Sequence, residues 1–343
     1  MSCENALLLL LSLIPKSQAL EHEWLAITVQ GGSLLSVDCE AEQTICTEYE
    51  ISSHPSLQLF KDGAPVTEYL GPKRASAMGN FVSRMSRPVV TAVSAETIEG
   101  FKSSDDVVFV GYISSEDETA RRSFSAVAQK YYQEFTFGLV SDQEVIQAGN
   151  VEPPTVVCHI FGDGETRSSG ILSGPESLEK FVPEASRRVI GELTRENRQR
   201  LLDRGWPIVY VFGETENDRA ELRRTLHDFA RSYYDSLTCV TVDPMEFPDL
   251  QEELGLEPGL FPSGAVHQLS KSRIYPYPRG LAIDSRSLQK WGLDVWQGRI
   301  KHWKPPGVND MPEDTRPAKA VTRKVSMANI PGVNIRVAGR DEL

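Results

Sequence analysis

Residues 107–140 read VVFVGYISSEDETARRSFSAVAQKYYQEFTFGLV, and this stretch decides the fold. Its opening run, VVFVGYI, is continuously apolar, which predicts a strand buried on both faces. Residues 117–132 follow with apolar side chains at helical spacing, which predicts a helix packed on one face of a sheet. Residues 135–140 predict another strand. The order strand, helix, strand is typical of an α/β protein.

The same order of elements recurs along the chain. The middle unit is predicted to contain strands at 89–93, 107–113, 135–140 and 155–160, a return strand, and helices at 95–101, 117–132, 142–149 and 175–186. Residues 189–296 repeat this order, whereas residues 34–85 contain only its second half. Pro55, Pro154 and Pro262 occupy equivalent places before a hairpin. A repeat of about one domain length indicates tandem domains rather than a solenoid.

Composition and charge exclude several classes of protein. Hydrophobic residues make up 40% of the 343-residue chain and charged residues 24%, as in an ordinary globular protein. The formal net charge of -12 argues against nucleic-acid binding, which needs a basic surface. No run reaches the ~18–20 apolar residues of a membrane span. The sequence also lacks C-x-x-C and H-E-x-x-H motifs, so we expect no metal and no cofactor.

The two ends of the chain carry targeting signals. An apolar run at 6–14, followed by Pro15 and a small residue at Ala19, predicts a secretory signal peptide over residues 1–19. The alternative is a buried helix or strand of the first domain. The last four residues, Arg340, Asp341, Glu342 and Leu343, are similar to the Lys-Asp-Glu-Leu address that a retrieval receptor of the endoplasmic reticulum reads. We therefore expect a soluble protein of the endoplasmic reticulum lumen.

The repeated unit has the element order of the thioredoxin fold, and the sequence resembles the protein disulfide isomerase family, most of all its fungal members. The resemblance is carried by SVDCEAEQTICTEYEISSHPSLQLFKDG (36–63), EYLGPKRASAMGNFV (68–82), GWPIVYVFGE (205–214) and the final four residues. It covers roughly residues 36–306. It implies tandem thioredoxin-like domains, one truncated and two complete, and a family activity of thiol–disulfide exchange.

This resemblance divides the chain into five segments. Residues 1–19 are the predicted signal peptide, and residues 20–87 are expected to be a truncated thioredoxin-like domain. Residues 88–187 form a thioredoxin-like domain without active-site cysteines. Residues 188–303 match the family's peptide-binding domain, and residues 304–343 are expected to be a flexible tail that carries the retention signal.

The main departure from the family concerns its catalytic Cys-Gly-His-Cys, which lies at the start of the helix after the second strand. Too few residues separate Ala19 from Leu34 for two strands and two helices. We therefore expect the first domain to lack that half and to be marginally folded, with residues 24–29 supplying at most a substitute strand. The equivalent positions of the complete domains, 114–116 and 213–215, contain no thiol.

The remaining cysteines offer no obvious active site. Cys39 and Cys46 lie at positions where the family often has cysteines outside its active site. They are interpreted as two buried apolar side chains or as a structural disulfide, and catalysis by this pair is disfavoured because it lacks the helix-start placement that activates a thiol. Cys158 and Cys239 lie within predicted strands and are expected to be inert.

Two further features follow from the resemblance. Pro55, Pro154 and Pro262 match the family's cis-proline, for which a purely structural turn is the favoured interpretation here. Five residues of the last domain are candidates for an apolar peptide-binding groove, although each also fits an ordinary core position: Leu201, Phe247, Leu250, Leu254 and Phe261.

These observations predict a redox-inactive binder or chaperone of unfolded or partner polypeptides, which acts in protein folding. The competing hypothesis is a protein disulfide isomerase, an intramolecular oxidoreductase, whose catalytic segments are missing from an incomplete sequence. A third hypothesis is a purely structural adaptor. The expected partners are polypeptides and the retrieval receptor.

Overall fold

The computed structural model describes residues 7–13, 18–27, 32–51, 56–61, 63–161, 165–170 and 175–304. The described strands form three sheets, one of four strands and two of five. Each sheet with its helices is called a unit here: the first, the middle and the last.

The middle unit contains nine elements. They are β5 (Thr91–Ala92), α4 (Ile98–Lys102), β6 (Val107–Tyr112), α5 (Glu118–Tyr131), β7 (Thr136–Val140), α6 (Gln143–Ala148), β8 (Thr155–Ile160), β9 (Glu165–Gly170) and α7 (Pro175–Ala185). The strand order is β5-β7-β6-β8-β9. β6 pairs parallel with β7 and antiparallel with β8, and all its residues are buried, as the apolar run predicts.

The last unit repeats this arrangement. Its elements are β10 (Gly191–Glu192), α8 (Arg198–Asp203), β11 (Ile208–Phe212), α9 (Glu216–Ser232), β12 (Thr238–Val242), α10 (Leu250–Glu253), β13 (Ser263–Gln268), β14 (Arg273–Pro276) and α11 (Ser285–Trp296). The strand order, β10-β12-β11-β13-β14, matches that of the middle sheet position by position. Two complete thioredoxin-like units are therefore confirmed.

The first unit has the same core with fewer elements. They are β1 (Leu7–Leu13), α1 (Gln18–Leu25), β2 (Gly32–Asp38), α2 (Gln43–Glu48), β3 (Leu57–Lys61), β4 (Ala64–Glu68) and α3 (Ala75–Met85). The strand order is β2-β1-β3-β4. Among the described residues, this unit lacks only the counterparts of β5 and α4, so the truncation is smaller than the sequence predicts.

The central strand of the first unit comes from the segment that the sequence assigns to a signal peptide. β1 pairs parallel with β2 over its whole length and antiparallel with β3. The expectation that the whole first half of this domain is missing is therefore wrong. An apolar leucine run fits both a signal peptide and a central strand. Assigning it to the signal peptide leaves the predicted sheet without its central strand.

The predicted substitute strand at 24–29 is also wrong, because Trp24 lies in the helix α1. Leu20, Trp24 and Ile27 recur at helical spacing and are buried against Met78 and Phe81 of α3. The Glu23 carboxylate accepts a hydrogen bond of 2.8 Å from the Ala75 backbone N–H at the start of α3. A helix layer therefore covers this face of the sheet.

Each sheet is covered by helices on both faces, which places apolar clusters above and below it. In the middle unit α5 and α7 cover one face, and α4 and α6 cover the other. In the last unit the corresponding pairs are α9 with α11 and α8 with α10. Large side chains such as Phe109, Phe124 and Phe212 are fully buried, each contributing about 1.5–3 kcal/mol of transfer free energy.

One arginine links all three units. Arg74 precedes α3, and its guanidinium contacts Asp106 just before β6 and Glu192 in β10, the latter at 3.1 Å. Although burial disfavours the charge, Glu192 and Asp106 hold the pKa of Arg74 above its ordinary value. Two further pairs join neighbouring units: Arg84 with Asp105, and Arg200 with Glu134 at 2.7 Å.

Replacing Arg74 should loosen the contact between the units. Arg74→Ala removes the nearest cation from two partly buried carboxylates and leaves each with one longer contact, Asp106 with Arg188 at 3.6 Å and Glu192 with Arg223 at 3.5 Å, an unfavourable change. Arg187 and Arg188 connect the middle and last units. We expect tryptic cleavage after either residue to become roughly tenfold faster, because a decrease of ~1.4 kcal/mol in the free energy of opening this contact raises the open population tenfold. Mass spectrometry of timed digests measures this.

The matched control is Arg122→Ala, which breaks the exposed Arg122–Glu118 pair within α5. Such surface pairs contribute about 0–1 kcal/mol, so cleavage at the same bonds should be unchanged. Equal cleavage rates in Arg74→Ala and the control would contradict a linking role for Arg74.

Candidate functional site

The start of the helix after each central strand is the place where the resemblance puts catalytic cysteines. In the first unit residues 14–17 occupy this place; they are Ile-Pro-Lys-Ser and lie outside the described residues. In the middle unit Asp117 caps α5 and accepts a hydrogen bond of 3.0 Å from the Ala120 N–H. In the last unit Thr215 and Asp218 form a reciprocal capping box on α9.

These caps determine what the two described helix starts can do. A helix N-terminus lowers a thiol pKa because its free N–H groups and dipole favour a nearby anion. Here side-chain oxygens of the chain itself accept from those N–H groups, and hydrogen bonds from Thr215 lower the pKa of Asp218. Both positions therefore serve helix capping and carry no thiol.

Cys39 and Cys46 are joined in a disulfide, with their Cα atoms 5.7 Å apart. Cys39 directly follows β2 and Cys46 lies in α2, buried beside Val37 and Phe60. Of the alternatives that the sequence leaves open, the structure contains the disulfide. It ties the end of β2 to the next helix, at the sheet edge where β1 also ends, since Asp38 pairs with Leu13.

Cys158 and Cys239 are the free cysteines of the described residues. Both are buried within strands, and the Cys158 thiol lies 3.4 Å from the Ala185 carbonyl oxygen, which accepts its hydrogen bond. Burial raises the pKa of each thiol to about 12, an effect that Arg167 opposes for Cys158. Because the thiolate is the nucleophile, neither is reactive at neutral pH.

Two of the three cis-proline candidates have cis peptide bonds. They are Pro154, after Pro153, and Pro262, after Phe261. Strand register places each beside the end of a central strand, since Thr155 pairs with Tyr112 and Ser263 with Phe212. These loops thus lie next to the two helix starts described above. Pro55 lies outside the described residues.

The five predicted groove residues lie together on one face of the last sheet. Phe247, Leu250 and Leu254 are buried in the cluster that also contains Ile208 and Tyr210, whereas Leu201 and Phe261 are half-buried at its edge. The first three thus act as core, and only the last two present surface to a ligand. For three of the five residues, an ordinary core position is thus the better description.

A cavity of about 440 Å³ lies where the three units meet. It is called the junction cavity here. Its lining combines the linking ion pairs with apolar side chains, and includes Arg74, Arg84, Glu134, Glu192, Glu196 and Arg200. Burial, with a smaller contribution from Glu134, raises the pKa of Glu196 to about 7, while Arg84 and Arg200 oppose this rise.

Sequence reasoning missed this cavity because its partners are far apart along the chain. One local signal was available: the basic segment Ser186-Arg187-Arg188-Val189 at the boundary between the middle and last units lines the cavity. Within the described residues, no group of three or more His, Cys, Asp or Glu side chains could hold a metal ion.

Comparison with known families agrees with the repeated sheets. The family described as a thioredoxin-like domain matches residues 113–292, more than half of the chain, and the thioredoxin family matches residues 15–84. The chain belongs to the thioredoxin-like domain family. The second match includes α1 and begins at residue 15. It therefore includes residues that precede residue 20, where the sequence analysis begins the first domain.

Curated relatives of this thioredoxin-like protein are protein disulfide isomerases. That of Aspergillus oryzae is 27% identical over 78% of this chain and 52% of its own length. That of Humicola insolens is 28% identical over 83% of this chain and 57% of its own length. The chain is thus a disulfide-isomerase-like thioredoxin-fold protein that spans about half the length of the relatives it matches.

Two solved structures illustrate what this chain is similar to. Human ERp44, form II, has a TM-score of 0.44 and 17% identity and covers 87% of this chain and 85% of that chain. The bb fragment of ERp72 has a TM-score of 0.49 and 15% identity and covers 63% of this chain and 100% of that chain. In the part of this thioredoxin-like protein that is described, no helix has the length and apolar character to cross a membrane.

Proposed function

We propose that this protein is a redox-inactive binder or chaperone of unfolded or partner polypeptides, acting in the lumen of the endoplasmic reticulum. The observation that carries this proposal is the chemistry of the two described helix starts. Each is capped by Asp117 or Thr215 and offers no thiol, while the described cysteines are either joined in a disulfide or buried in strands.

Thiol–disulfide exchange needs an activated thiolate and a second thiol that resolves the mixed disulfide. The Cys39–Cys46 pair lacks the first requirement, because it lies between β2 and α2 rather than at the start of a long helix. Cys158 and Cys239 lie in different units and cannot resolve each other. Family membership combined with this chemistry supports binding without exchange.

The alternative is a protein disulfide isomerase of which the given sequence is a piece. It is favoured by one observation: the relatives are about twice as long as the aligned stretch. Under this alternative, the exchange chemistry belongs to segments outside the given sequence, and the units described here hold the substrate. Both proposals assign polypeptide binding to these units.

The location in the endoplasmic reticulum is proposed from the ends of the chain and from the relatives. Arg340–Leu343 would be read by the retrieval receptor. Residues 1–19 would act as a leader, although cleavage after Ala19 would remove β1 and leave β2 and β3 without their shared neighbour. Whether this leader is removed thus decides the fate of the first sheet.

The purified chain should not catalyse exchange. We expect insulin reduction and scrambled-ribonuclease refolding at the rate of the enzyme-free reaction, because no described thiol is both exposed and activated. Aggregation of a chemically unfolded protein should nevertheless be suppressed at stoichiometric concentrations, as light scattering measures.

The double variant Cys39→Ser/Cys46→Ser is the control for the remaining disulfide. It should leave both results unchanged at temperatures where the variant remains folded. Exchange above the enzyme-free rate that this variant abolishes would make the pair catalytic and overturn the proposal. Failure to suppress aggregation would remove the binding role.

Deleting Arg340–Leu343 should move the protein from the cell into the medium of a secreting eukaryotic host, because only retrieval would keep a lumenal protein inside. Immunoblotting of cells and medium measures this, and intact mass shows whether residues 1–19 remain. A full-length protein found in the cytosol would refute the proposed location.

A further inference from the structure

The junction cavity contains a carboxylate whose neighbouring cations are engaged elsewhere. Glu196 precedes α8 and lines the cavity. The two cations that act on it are Arg84 and Arg200. Arg84 makes its ion pair with Asp105, and Arg200 makes its pair with Glu134 at 2.7 Å. Glu196 is therefore left facing a partly buried space that lacks a dedicated cation.

The same cavity contains a donor that lacks an acceptor. The Arg84 side chain is only 9% exposed. Its Nη1 donates to Asp105, and its Nη2 donates to the Gln133 carbonyl oxygen at 2.7 Å. Its Nε is buried and has no hydrogen-bond partner among the described residues. Because this nitrogen has almost no accessible surface, a ligand in the cavity cannot reach it. The donors of Arg84 are thus engaged or enclosed, and Glu196 is the group left for a ligand to pair with.

We propose that the junction cavity binds an extended polypeptide segment through a lysine or arginine side chain that pairs with Glu196. This inference rests on the proposed polypeptide-binding function and names its preferred ligand chemistry. It places recognition at the contact of the three units rather than at the predicted groove around Phe261.

The size and lining of the cavity fit this ligand. A volume of about 440 Å³ lies within the usual range for ligand sites, roughly 300–1,000 Å³. Phe135, Tyr234 and Val240 line it together with the charged groups. Long basic side chains bury their aliphatic stems on such surfaces while the charged end reaches a partner.

Binding should depend on pH with a definite sign. Burial raises the pKa of Glu196 to about 7, so its carboxyl is largely protonated at pH 6 and ionised at pH 8. A basic side chain binds the ionised form, and affinity should fall as pH falls through 7, by up to roughly tenfold between pH 8 and pH 6. The charged groups acting on Glu196 are Arg84 from α3, Glu134 after α5 and Arg200 from α8.

The test compares two fluorescein-labelled ten-residue peptides of glycine, serine and alanine that differ at one central position. One contains arginine, and the other contains citrulline, its uncharged isostere. Fluorescence anisotropy with the full chain at pH 8 and physiological salt should give a Kd about tenfold lower for the arginine peptide, the ratio expected of one charge-assisted hydrogen-bonded pair.

Glu196→Gln should abolish this preference. Glu116→Gln changes the same charge on an exposed side chain before α5 and should preserve it. Equal binding of the two peptides to the unmodified chain overturns the inference without relying on any variant. Loss of the preference in Glu116→Gln overturns it as well. Free arginine that competes as well as the peptide would indicate a small-molecule site instead and would also overturn it.

The aggregation assay separates this inference from the proposed function. If the chain suppresses aggregation but does not distinguish arginine from citrulline, the cavity assignment fails and the binding function stands. If it neither suppresses aggregation nor binds either peptide, both fail. Aggregation suppression together with an arginine preference that depends on Glu196 supports both.

Discussion

The arrangement of this protein depends on a buried guanidinium that no single unit can neutralise. Arg74 belongs to the first unit, but its carboxylate partners Asp106 and Glu192 belong to the other two. A largely buried charge is tolerated only when it is paired. The three sheets are therefore linked at one point, and the junction cavity lies beside that point, since Arg74, Asp106 and Glu192 line it.

The first unit shows how a thioredoxin-like sheet tolerates loss at its edge. Among the described residues it lacks the counterparts of β5 and α4, which form the outer edge in the other units. It keeps the central strand β1, whose hydrogen bonds satisfy β2 on one side and β3 on the other. Losing an edge strand exposes one row of backbone groups, whereas losing the centre would expose two.

The sequence predicts most of the middle and last units, because their central strands are long apolar runs and their helices have clear periodicity. The bounds of β8 agree with the prediction to the residue. The prediction fails at β1, because a leucine run fits both a signal peptide and a central strand. It also cannot locate the junction cavity, since the Arg74–Glu192 pair joins residues in different units and no local pattern links them. Nor can periodicity separate Leu254, which is core, from Leu201, which is half-buried.

The central claim is that polypeptide binding occurs at the charged junction of the three units and needs no reactive thiol. Hydrogen–deuterium exchange of the full chain, with and without an unfolded client, tests it most directly. The account predicts that client slows exchange in backbone segments lining the junction cavity, at 133–137 and 196–204, in alkylated and unalkylated protein alike. Protection confined to the Cys39–Cys46 segment or to residues 247–261, or protection that alkylation abolishes, would contradict it.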